Sequence, residues 1–474
     1  MPLRVRVCAE YLLFAGAVFV CWNAVRWAFQ PGLFLISDEL GNLTRFIDYS
    51  YWQNVSFLPQ WIYNDRPVGF VLAQGLFDAF GFNYRYQVGV FLVLHAANCG
   101  MGYLLSRRLG VSIPLSIAAI GAFGGLWSTA QTVTYIGAVF DVTCLFFLLG
   151  STLALLWDQR GSSILSALLF LLALRSKEFA IVLPVLLFIL GLQLWQPGAI
   201  LRRLWLHIAI AVVFGIRYLS FLPRAIQVVG PQDPYHADPS IKTVLYSLSY
   251  YTRLIFGAES AIGISTVVVF TCLAGAIVAY GLYRHNFLLL YGLASYFFLL
   301  LPVAILPGIR SAYYVYAPQL FLLLSFVILV EDLNAGLFKT PAVRWAASLG
   351  IGTLLLAWTI YSQGSAAFKN GTAFLVTIRT ASSVTAESAK VLIPSLQSTP
   401  HLYLNHGQER PWLFTAGPCA YFKLITRNSA TTCSLHSSKD AAQAAYDRDD
   451  GGKMLLEYAP DGSLRPIRVS PIRR

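Results

Sequence analysis

Apolar stretches long enough to cross a membrane recur along most of this chain. They begin at residue 8 and end at residue 362, with short polar turns between them. Because about 20 apolar helical residues cross the hydrocarbon core of a bilayer, the pattern predicts eleven membrane-spanning helices. No small-residue cleavage pattern follows the first stretch, so we interpret it as a retained helix rather than a signal peptide. The predicted spans cover residues 8–28, 86–106, 111–127, 139–157, 162–175, 179–195, 204–222, 262–283, 286–305, 313–331 and 343–362.

Composition agrees with this pattern until the last part of the chain. Hydrophobic residues make up 57% and charged residues 12%, with a mean hydropathy of +0.62, whereas charged residues make up about 25% of a soluble globular protein. From Gln363 onward the chain becomes polar, with turn signals at 450–452 and 460–462. We therefore predict an all-α polytopic membrane domain over residues 1–362 and a small extracytoplasmic domain over residues 363–474.

The distribution of charge predicts which side of the membrane each loop occupies. The formal net charge is +12, and the excess of Lys and Arg is spread over short turns and both chain ends. This spread favours anionic lipid headgroups over nucleic acid as the partner. Alternating spans put the basic turns on one side, which the positive-inside rule assigns to the cytosol. The N-terminus is then cytosolic, and the first loop and the polar tail are extracytoplasmic, at a plasma membrane or an endoplasmic reticulum membrane.

Two loops on the predicted outer side are long. They cover residues 29–85 and 223–261 and mix aromatic residues with charged ones. Within them, the segments Val68–Phe80 and Ile241–Phe256 have apolar residues at helical spacing. Such segments are typical of helices that lie along a membrane interface.

The seven cysteines divide into two groups. Five fall in apolar stretches, and we interpret them as small buried hydrophobic residues. Cys419 and Cys433 share the polar tail and could form a disulfide if that tail is outside the cytosol. No cysteine or histidine spacing is typical of a zinc site.

An acidic pair, Asp38 and Glu39, follows the first predicted span, with Asp48 further along the same loop. Charge close to hydrocarbon is unfavourable and usually functional. A carboxylate at the membrane surface can accept a proton from an attacking hydroxyl, while a second carboxylate tunes it or binds a metal. The alternative is an exposed acidic loop. A divalent metal is compatible with these acids but not required by their spacing, so no cofactor is assigned.

Further charged residues stand at the outer ends of predicted spans. Asp141 opens the fourth span, where a helix cap is the alternative role. Lys177 and Glu178 lie between the fifth and sixth spans. A cation there suits the phosphate or diphosphate of a lipid carrier, and a local ion pair is the alternative. Arg217 and Arg310 supply further cations at the same face.

Two polar side chains, His95 and Asn98, lie about one helical turn apart inside the second predicted span. Metal ligation and hydrogen bonding between helices are the two roles open to such a pair. We favour hydrogen bonding, because polar side chains within a span commonly join neighbouring helices.

The order of these segments resembles the landmarks of the GT-C membrane glycosyltransferases. The resemblance covers residues 1–335 and is closest to the protein O-mannosyltransferases and to the transmembrane O-mannosyltransferases that carry tetratricopeptide repeats. The tail of this chain differs, since it shows no repeat array. The matching segments are the acidic pair after the first span, Arg66-Pro67 with the following Val-Gly-Phe-Val-Leu, the segment from Phe91 to Asn98, Asp141, Ser176-Lys177-Glu178 with Pro184, and Tyr313–Pro318.

The resemblance implies roles for these residues. In that family the first-loop acid is the catalytic base, the sugar arrives on a polyprenyl phosphate, and transfer occurs on the extracytoplasmic face. Carried over by position, Asp38 is the base, Glu39 is its neighbour, and Asp141 is a tuning or acceptor-side acid. Lys177 and Arg310 would contact the donor phosphate. The full set of expected substrate contacts is Lys177, Glu178, Arg310, Arg66, Arg217 and Tyr316.

We therefore expect a hexosyltransferase that moves a sugar, with inversion, from a polyprenyl-phosphate donor to a protein, lipid or glycan acceptor. The main alternative is a transporter or flippase of lipid-linked saccharides, which also needs many spans and buried charge. Transporters place their binding residues near the bilayer midplane, whereas the charges here crowd one face. An O-antigen ligase or polymerase is a third alternative, but it is not expected to carry an acid directly after the first span.

Overall fold

The computed structural model shows a helical bundle followed by a small mixed α/β unit. It describes residues 3–48, 66–157, 159, 161–228, 236–256, 264–396, 401–407, 412–414 and 419–470. The side chain of Asp48 lies outside the described part. Part of each long outer loop, residues 49–65 and 229–235, also lies outside it.

Every predicted span coincides with a helix or a pair of helices. Within the described residues, seven helices are long and apolar enough to cross a membrane, or eight if one bent pair counts as a single span. The first helix of that pair, Ile113–Gly125, coincides with the third predicted span, and the chain bends by 62° at its end, before the second helix Trp127–Val133. The fifth, sixth and eighth predicted spans contain shorter apolar helices. The chain is thus an integral multi-pass membrane protein with a mostly helical fold.

The two ends of the bundle are defined by contacts between distant helices. At one end, Glu10 accepts a hydrogen bond from the Trp345 indole at 3.0 Å. At the other end, the Asn23 amide donates to Gln363 at 2.8 Å. We call this second end, where α1 finishes, the site end. The bundle helices are α1 (Leu3–Val25), α2 (Asp38–Asp48), α3 (Pro67–Phe80), α4 (Tyr84–Arg108), α5 (Ile113–Gly125), α6 (Trp127–Val133), α7 (Val139–Leu156), α8 (Ser162–Leu174), α9 (Leu183–Leu194), α10 (Pro197–Val228), α11 (Ile241–Phe256), α12 (Ile264–Tyr283), α13 (Phe287–Ala304), α14 (Tyr316–Leu337) and α15 (Pro341–Gln363).

The two segments predicted as interfacial helices are helical. They form α3 and α11, so the helices expected from their apolar spacing are confirmed. Pro67 occupies the first turn of α3, where its missing N–H is tolerated, and Gly81 ends the helix with a φ of 55°. Their orientation along a membrane surface stays a prediction.

Hydrogen bonds inside the bundle join α4, α7 and α14. His95 Nδ1 lies 2.8 Å from the Tyr316 hydroxyl. The Asn98 amide donates to the Val142 carbonyl at 3.0 Å and to the Tyr316 hydroxyl at 3.1 Å. The predicted interhelical role of His95 and Asn98 is confirmed. Tyr316 is completely buried.

The C-terminal unit contains a four-stranded sheet in the order β2-β1-β3-β4. The central strand β1 pairs in parallel with β2 and β3, while β4 runs antiparallel to β3. Two helices connect the parallel strands, and a long helix joins the unit to the bundle. The elements are α16 (Ala366–Lys390), α17 (Ile393–Leu396), β1 (His401–Asn405), α18 (Ala420–Thr426), β2 (Thr432–His436), α19 (Lys439–Arg448), β3 (Lys453–Tyr458) and β4 (Leu464–Ser470).

A disulfide links the start of α18 to β2. Cys419 and Cys433 are bonded, with their Cα atoms 5.3 Å apart, which confirms the predicted bridge. The bond closes a loop with a sequence separation of 14 residues. In the chain-entropy model, closing a loop of this length stabilises the folded unit by about 3 kcal/mol.

We predict that replacing both cysteines by serine makes the C-terminal unit more sensitive to protease, because the unfolded loop regains its freedom. The matched control is the pair Cys8→Ser and Cys272→Ser, which removes two exposed free thiols. Limited proteolysis of the purified proteins measures the effect, and the control should digest like the wild type. Rapid labelling of Cys419 and Cys433 in the non-reduced, denatured wild type would contradict the bridge.

Candidate functional site

Asp38 is an accessible carboxylate at the site end. It is the first residue of α2 and follows Ser37, whose φ of 48° is unusual for a residue with a side chain. The Tyr135 side chain hydrogen-bonds to Asp38. Asp38 is exposed as a residue, yet the protein around its carboxyl raises the pKa by desolvation, against the lowering effect of Tyr135. The result is a water-accessible carboxylate that is more basic than usual.

Tyr135 is suited to donate that hydrogen bond. Burial is the main cause that raises the pKa of its phenol well above the ordinary value, and the neighbouring charges of Asp38 and Glu39 raise it further. Tyr135 therefore keeps its proton over the physiological range. It can orient the Asp38 carboxylate without exchanging a proton with it.

Glu39 points the opposite way and is fully enclosed. Its two carboxylate oxygens each accept one hydrogen bond from the Arg379 guanidinium at 2.8 Å. They also accept one each from the backbone N–H groups of Ile36 and Ile136, both at 2.8 Å. With four donors on two oxygens, Glu39 is well satisfied as a buried anion. This geometry favours an anchoring role for Glu39 over the catalytic role expected from its position.

Arg379, which lies on α16, is a site residue that the sequence patterns did not predict. Its guanidinium also donates to the Phe34 carbonyl at 2.8 Å and the Thr134 carbonyl at 3.1 Å, and it lies 4.1 Å from the ring centroid of Tyr84. Burial is the largest single influence and lowers its pKa, but the charge and hydrogen bonds of Glu39, together with Tyr84 and Tyr135, raise it more, so the pKa stays above its ordinary value. A usable signal exists, because Arg379 lies on the buried stripe of α16. That stripe also contains Phe368, Leu375, Ile378, Ser382 and Ala386.

Four charged side chains form a second cluster at the site end, the charge quartet of Arg66, Asp141, Lys177 and Glu178. Lys177 forms a buried ion pair with Asp141, and both side chains are 3% exposed. Arg66 donates to the two oxygens of Glu178 at 2.8 and 2.5 Å. The quartet has two positive and two negative members, so its formal charge is zero. Asp141 pairs with a cation and does not cap α7.

Tyrosine rings connect the quartet to Asp38. The rings of Tyr135 and Tyr313 are stacked with their centroids 6.0 Å apart. The Lys177 ammonium lies 5.3 Å from the Tyr313 centroid and 4.6 Å from that of Tyr314. The structure thus places Asp38 and Lys177 at the same end of the bundle, joined through Tyr135 and Tyr313.

The remaining predicted substrate contacts occupy different environments. The Arg310 guanidinium stacks 4.4 Å from the ring centroid of Tyr246 on α11. Among the described residues, no carboxylate pairs with Arg310, and its Nε has no hydrogen-bond partner. Arg217 lies on α10 with its guanidinium 5.6 Å from the Phe214 centroid. Tyr316 is enclosed by His95 and Asn98, which favours a packing role over direct substrate contact.

Two of the acids that could bind a metal ion are already paired with cations. Within the described residues, no group of three His, Cys, Asp or Glu side chains could hold a metal ion. Glu39 and Asp141 each pair with a cation. A divalent ion near Asp38 would need further ligands from outside the described part.

Among the comparisons with known proteins, the search of solved structures gives a likeness. A scan against protein-family models finds no match, and a search of curated proteins finds none. The chain is similar to ArnT from Cupriavidus metallidurans in the apo state, with a TM-score of 0.49, 15% identity, and coverage of 95% of this chain and 93% of that chain. The same protein bound to undecaprenyl phosphate gives a TM-score of 0.48 at the same identity and coverage. Likeness at this level does not assign a function to this chain, and the resemblance to O-mannosyltransferases stays a prediction.

We predict that Asp141 and Lys177 depend on each other for stability. Lys177→Met alone leaves a buried carboxylate without a partner and should lower the free energy of unfolding by about 3–5 kcal/mol. The double variant Asp141→Asn with Lys177→Met should recover much of that loss. Denaturant unfolding in detergent micelles measures this cycle.

The matched control for this cycle is the exposed pair Glu387 and Lys390, whose side chains are 63% and 47% exposed. Breaking it with Glu387→Gln or Lys390→Met should change stability by about 1 kcal/mol or less. Additive effects of Asp141→Asn and Lys177→Met would show that the buried pair is not coupled.

Proposed function

We propose that this protein is a membrane glycosyltransferase of the GT-C type, which transfers a hexose from a polyprenyl-phosphate donor to an extracytoplasmic acceptor. The observation that carries the proposal is that a candidate base and a candidate phosphate-binding cation lie at the same end of the bundle. Asp38, an accessible carboxylate with a raised pKa, lies at that end. Arg310 is three residues before Tyr313, whose ring stacks on Tyr135 at the same end, and it has no acidic partner among the described residues. One can accept a proton, and the other can hold a phosphate.

Asp38 acts as the general base in this mechanism. It takes the proton from an acceptor hydroxyl as that oxygen attacks the anomeric carbon of the donor sugar. Its raised pKa brings it closer to the working pH, which improves a base, and Tyr135 fixes its orientation. The attack forms the new glycosidic bond in one displacement, so the configuration at the anomeric carbon inverts.

The donor phosphate leaves with the electron pair of the broken sugar–oxygen bond and needs a cation at that moment. Arg66 and Lys177 are each paired with a carboxylate in the quartet. Arg310 has its charge available, so we assign it the first contact with the phosphate. Lys177 reaches the phosphate only by sharing its ammonium with Asp141, and Asp141 is then the residue that tunes this cation.

Transport of a lipid-linked saccharide is the competing function. Transporters tend to bind near the bilayer midplane on broken helices. Here Asp38 begins a helix outside the first span, Asp141 lies in the first turn of α7, and Lys177 precedes α9. These positions all belong to one end of the bundle, which favours an enzyme.

We predict that Asp38→Asn reduces sugar transfer by about 100-fold or more while donor binding persists, because the change removes the base and keeps the size of the side chain. The assay supplies purified protein with a panel of polyprenyl-phosphate sugars and acceptors and follows release of the polyprenyl phosphate. Asp78→Asn is the matched control, since Asp78 is an exposed acid on α3 bonded to Gln74. Near-normal turnover of Asp38→Asn would remove Asp38 as the base. Movement of an intact lipid-linked sugar across a vesicle membrane without transfer would replace the enzyme with a transporter.

We predict that Arg310→Ala raises the KM for the donor by about tenfold, because it removes a charge-assisted contact to the phosphate. Arg310→Lys should keep part of the affinity, since it keeps the charge. Arg465→Ala, at an exposed arginine of the C-terminal unit, is the control and should leave the KM unchanged. A donor KM unchanged in Arg310→Ala would assign the phosphate contact elsewhere.

A further inference from the structure

A buried ion pair ties the C-terminal part of the chain to the loop that carries Asp38. Arg379 of α16 and Glu39 of α2 are 340 residues apart in sequence, and their side chains are 1% and 0% exposed. Glu39 is the immediate neighbour of Asp38. The position of the candidate base therefore depends on a contact made by a helix that follows the last predicted span.

The same pair joins two backbone segments near Asp38, the first loop and the turn before α7. Arg379 donates to Phe34 in the first loop and to Thr134 in the turn before α7. Glu39 accepts from Ile136 in that same turn. Tyr135, the hydrogen-bond partner of Asp38, lies between the two anchored residues of the turn. The ion pair thus fixes both Asp38 and the tyrosine that orients it.

The backbone conformation of Ser37 indicates that contacts with the surroundings fix this loop. A left-handed φ at a residue with a side chain is unfavourable and persists where the surroundings enforce it. The enforcing contacts are local and involve Glu39, whose N–H donates to the Ile36 carbonyl and whose carboxylate accepts from the Ile36 N–H. Asp38 sits between the strained Ser37 and the anchored Glu39.

A second contact from the C-terminal unit reaches the same loop. Tyr421 of α18 packs against Phe34 and Phe82, with ring centroids 5.8 and 5.4 Å apart. Its hydroxyl donates to the Ala386 carbonyl of α16 at 2.9 Å. The helix that carries Arg379 and the α/β unit therefore support the first loop together.

We propose that α16 completes the catalytic site and that Arg379 is a positioning residue, which holds Asp38 in its working geometry through Glu39. This rests on the proposed function for the role of Asp38. A planar guanidinium that makes two parallel bonds to one carboxylate fixes direction as well as distance. Replacing a buried ion pair is often tolerated for stability, so its effect on turnover is the sharper measure of its role.

The test uses the double variant Glu39→Gln with Arg379→Gln in the full-length protein. It removes both buried charges together and keeps hydrogen-bonding amides, so neither charge is left unpaired. We expect kcat to fall by about 100-fold, the effect of a displacement of about 1 Å near the reacting groups. The donor KM should stay within about twofold, because Arg310 is untouched. Arg379→Lys, which keeps the charge without the planar fork, should give an intermediate kcat.

The matched control is Asp461→Asn with Arg465→Gln, which removes an exposed ion pair of 2.7 Å from the same C-terminal unit. Its kcat and KM should equal those of the wild type. A wild-type kcat in the Glu39→Gln, Arg379→Gln variant would overturn the positioning role. An equal loss of kcat in the control pair would overturn it too, because the effect would then be general to the unit.

A readout without catalysis separates this inference from the proposed function. Asp38→Cys is introduced into a protein whose five free cysteines are replaced by alanine, and labelling of the new thiol by a water-soluble maleimide is timed. Adding Glu39→Gln with Arg379→Gln should speed labelling, and the exposed control pair should not. Unchanged labelling would overturn the positioning role even if activity falls. Faster labelling in a protein that uses no donor would reject the proposed function alone.

Discussion

The constraint that shapes this protein is the penalty for removing charge from water at the site end of the bundle. An isolated buried ion is unfavourable by several kcal/mol, so each enclosed charge needs a partner of opposite sign. Glu39 forms an ion pair with Arg379, and Asp141 forms one with Lys177. Because these partners come from different helices, satisfying the charges also decides which segments meet.

The buried ion pairs stabilise the site, whereas the charges outside these pairs can contact a substrate. Each enclosed charge is already paired with a charge of opposite sign, so it has less to offer a substrate. Asp38 keeps contact with water, and Arg310 has only an aromatic face beside it among the described residues. A reaction that moves one proton and releases one phosphate needs one base and one cation of this kind. In the proposed function, this division leaves few of the many charges at the site end to take part in the reaction.

Sequence patterns predicted what local physics determines. Hydropathy located the helical spans, apolar spacing located α3 and α11, and compartment chemistry suggested the Cys419–Cys433 bridge. The position of Arg379 in the buried stripe of α16 could have marked it as enclosed, but its pairing with Glu39 could not be predicted, since the two residues are 340 positions apart. Lys177 was predicted to be a cation available to a phosphate. Its partner Asp141 lies on another helix, so the sequence did not reveal their contact. Hydropathy likewise did not predict the bend of 62° between Gly125 and Trp127, at the end of the third predicted span.

The large sequence separation between Glu39 and Arg379 also affects the order in which the protein folds. The first loop is synthesised before all later spans, yet the partner of its buried carboxylate lies beyond the last of them. Until α16 docks, Glu39 is a charge without its guanidinium, and an enclosed position is then unfavourable. Contacts of such large sequence separation form late, since loop closure must precede them. The geometry around Asp38, the proposed base, is therefore completed only when α16 is in place.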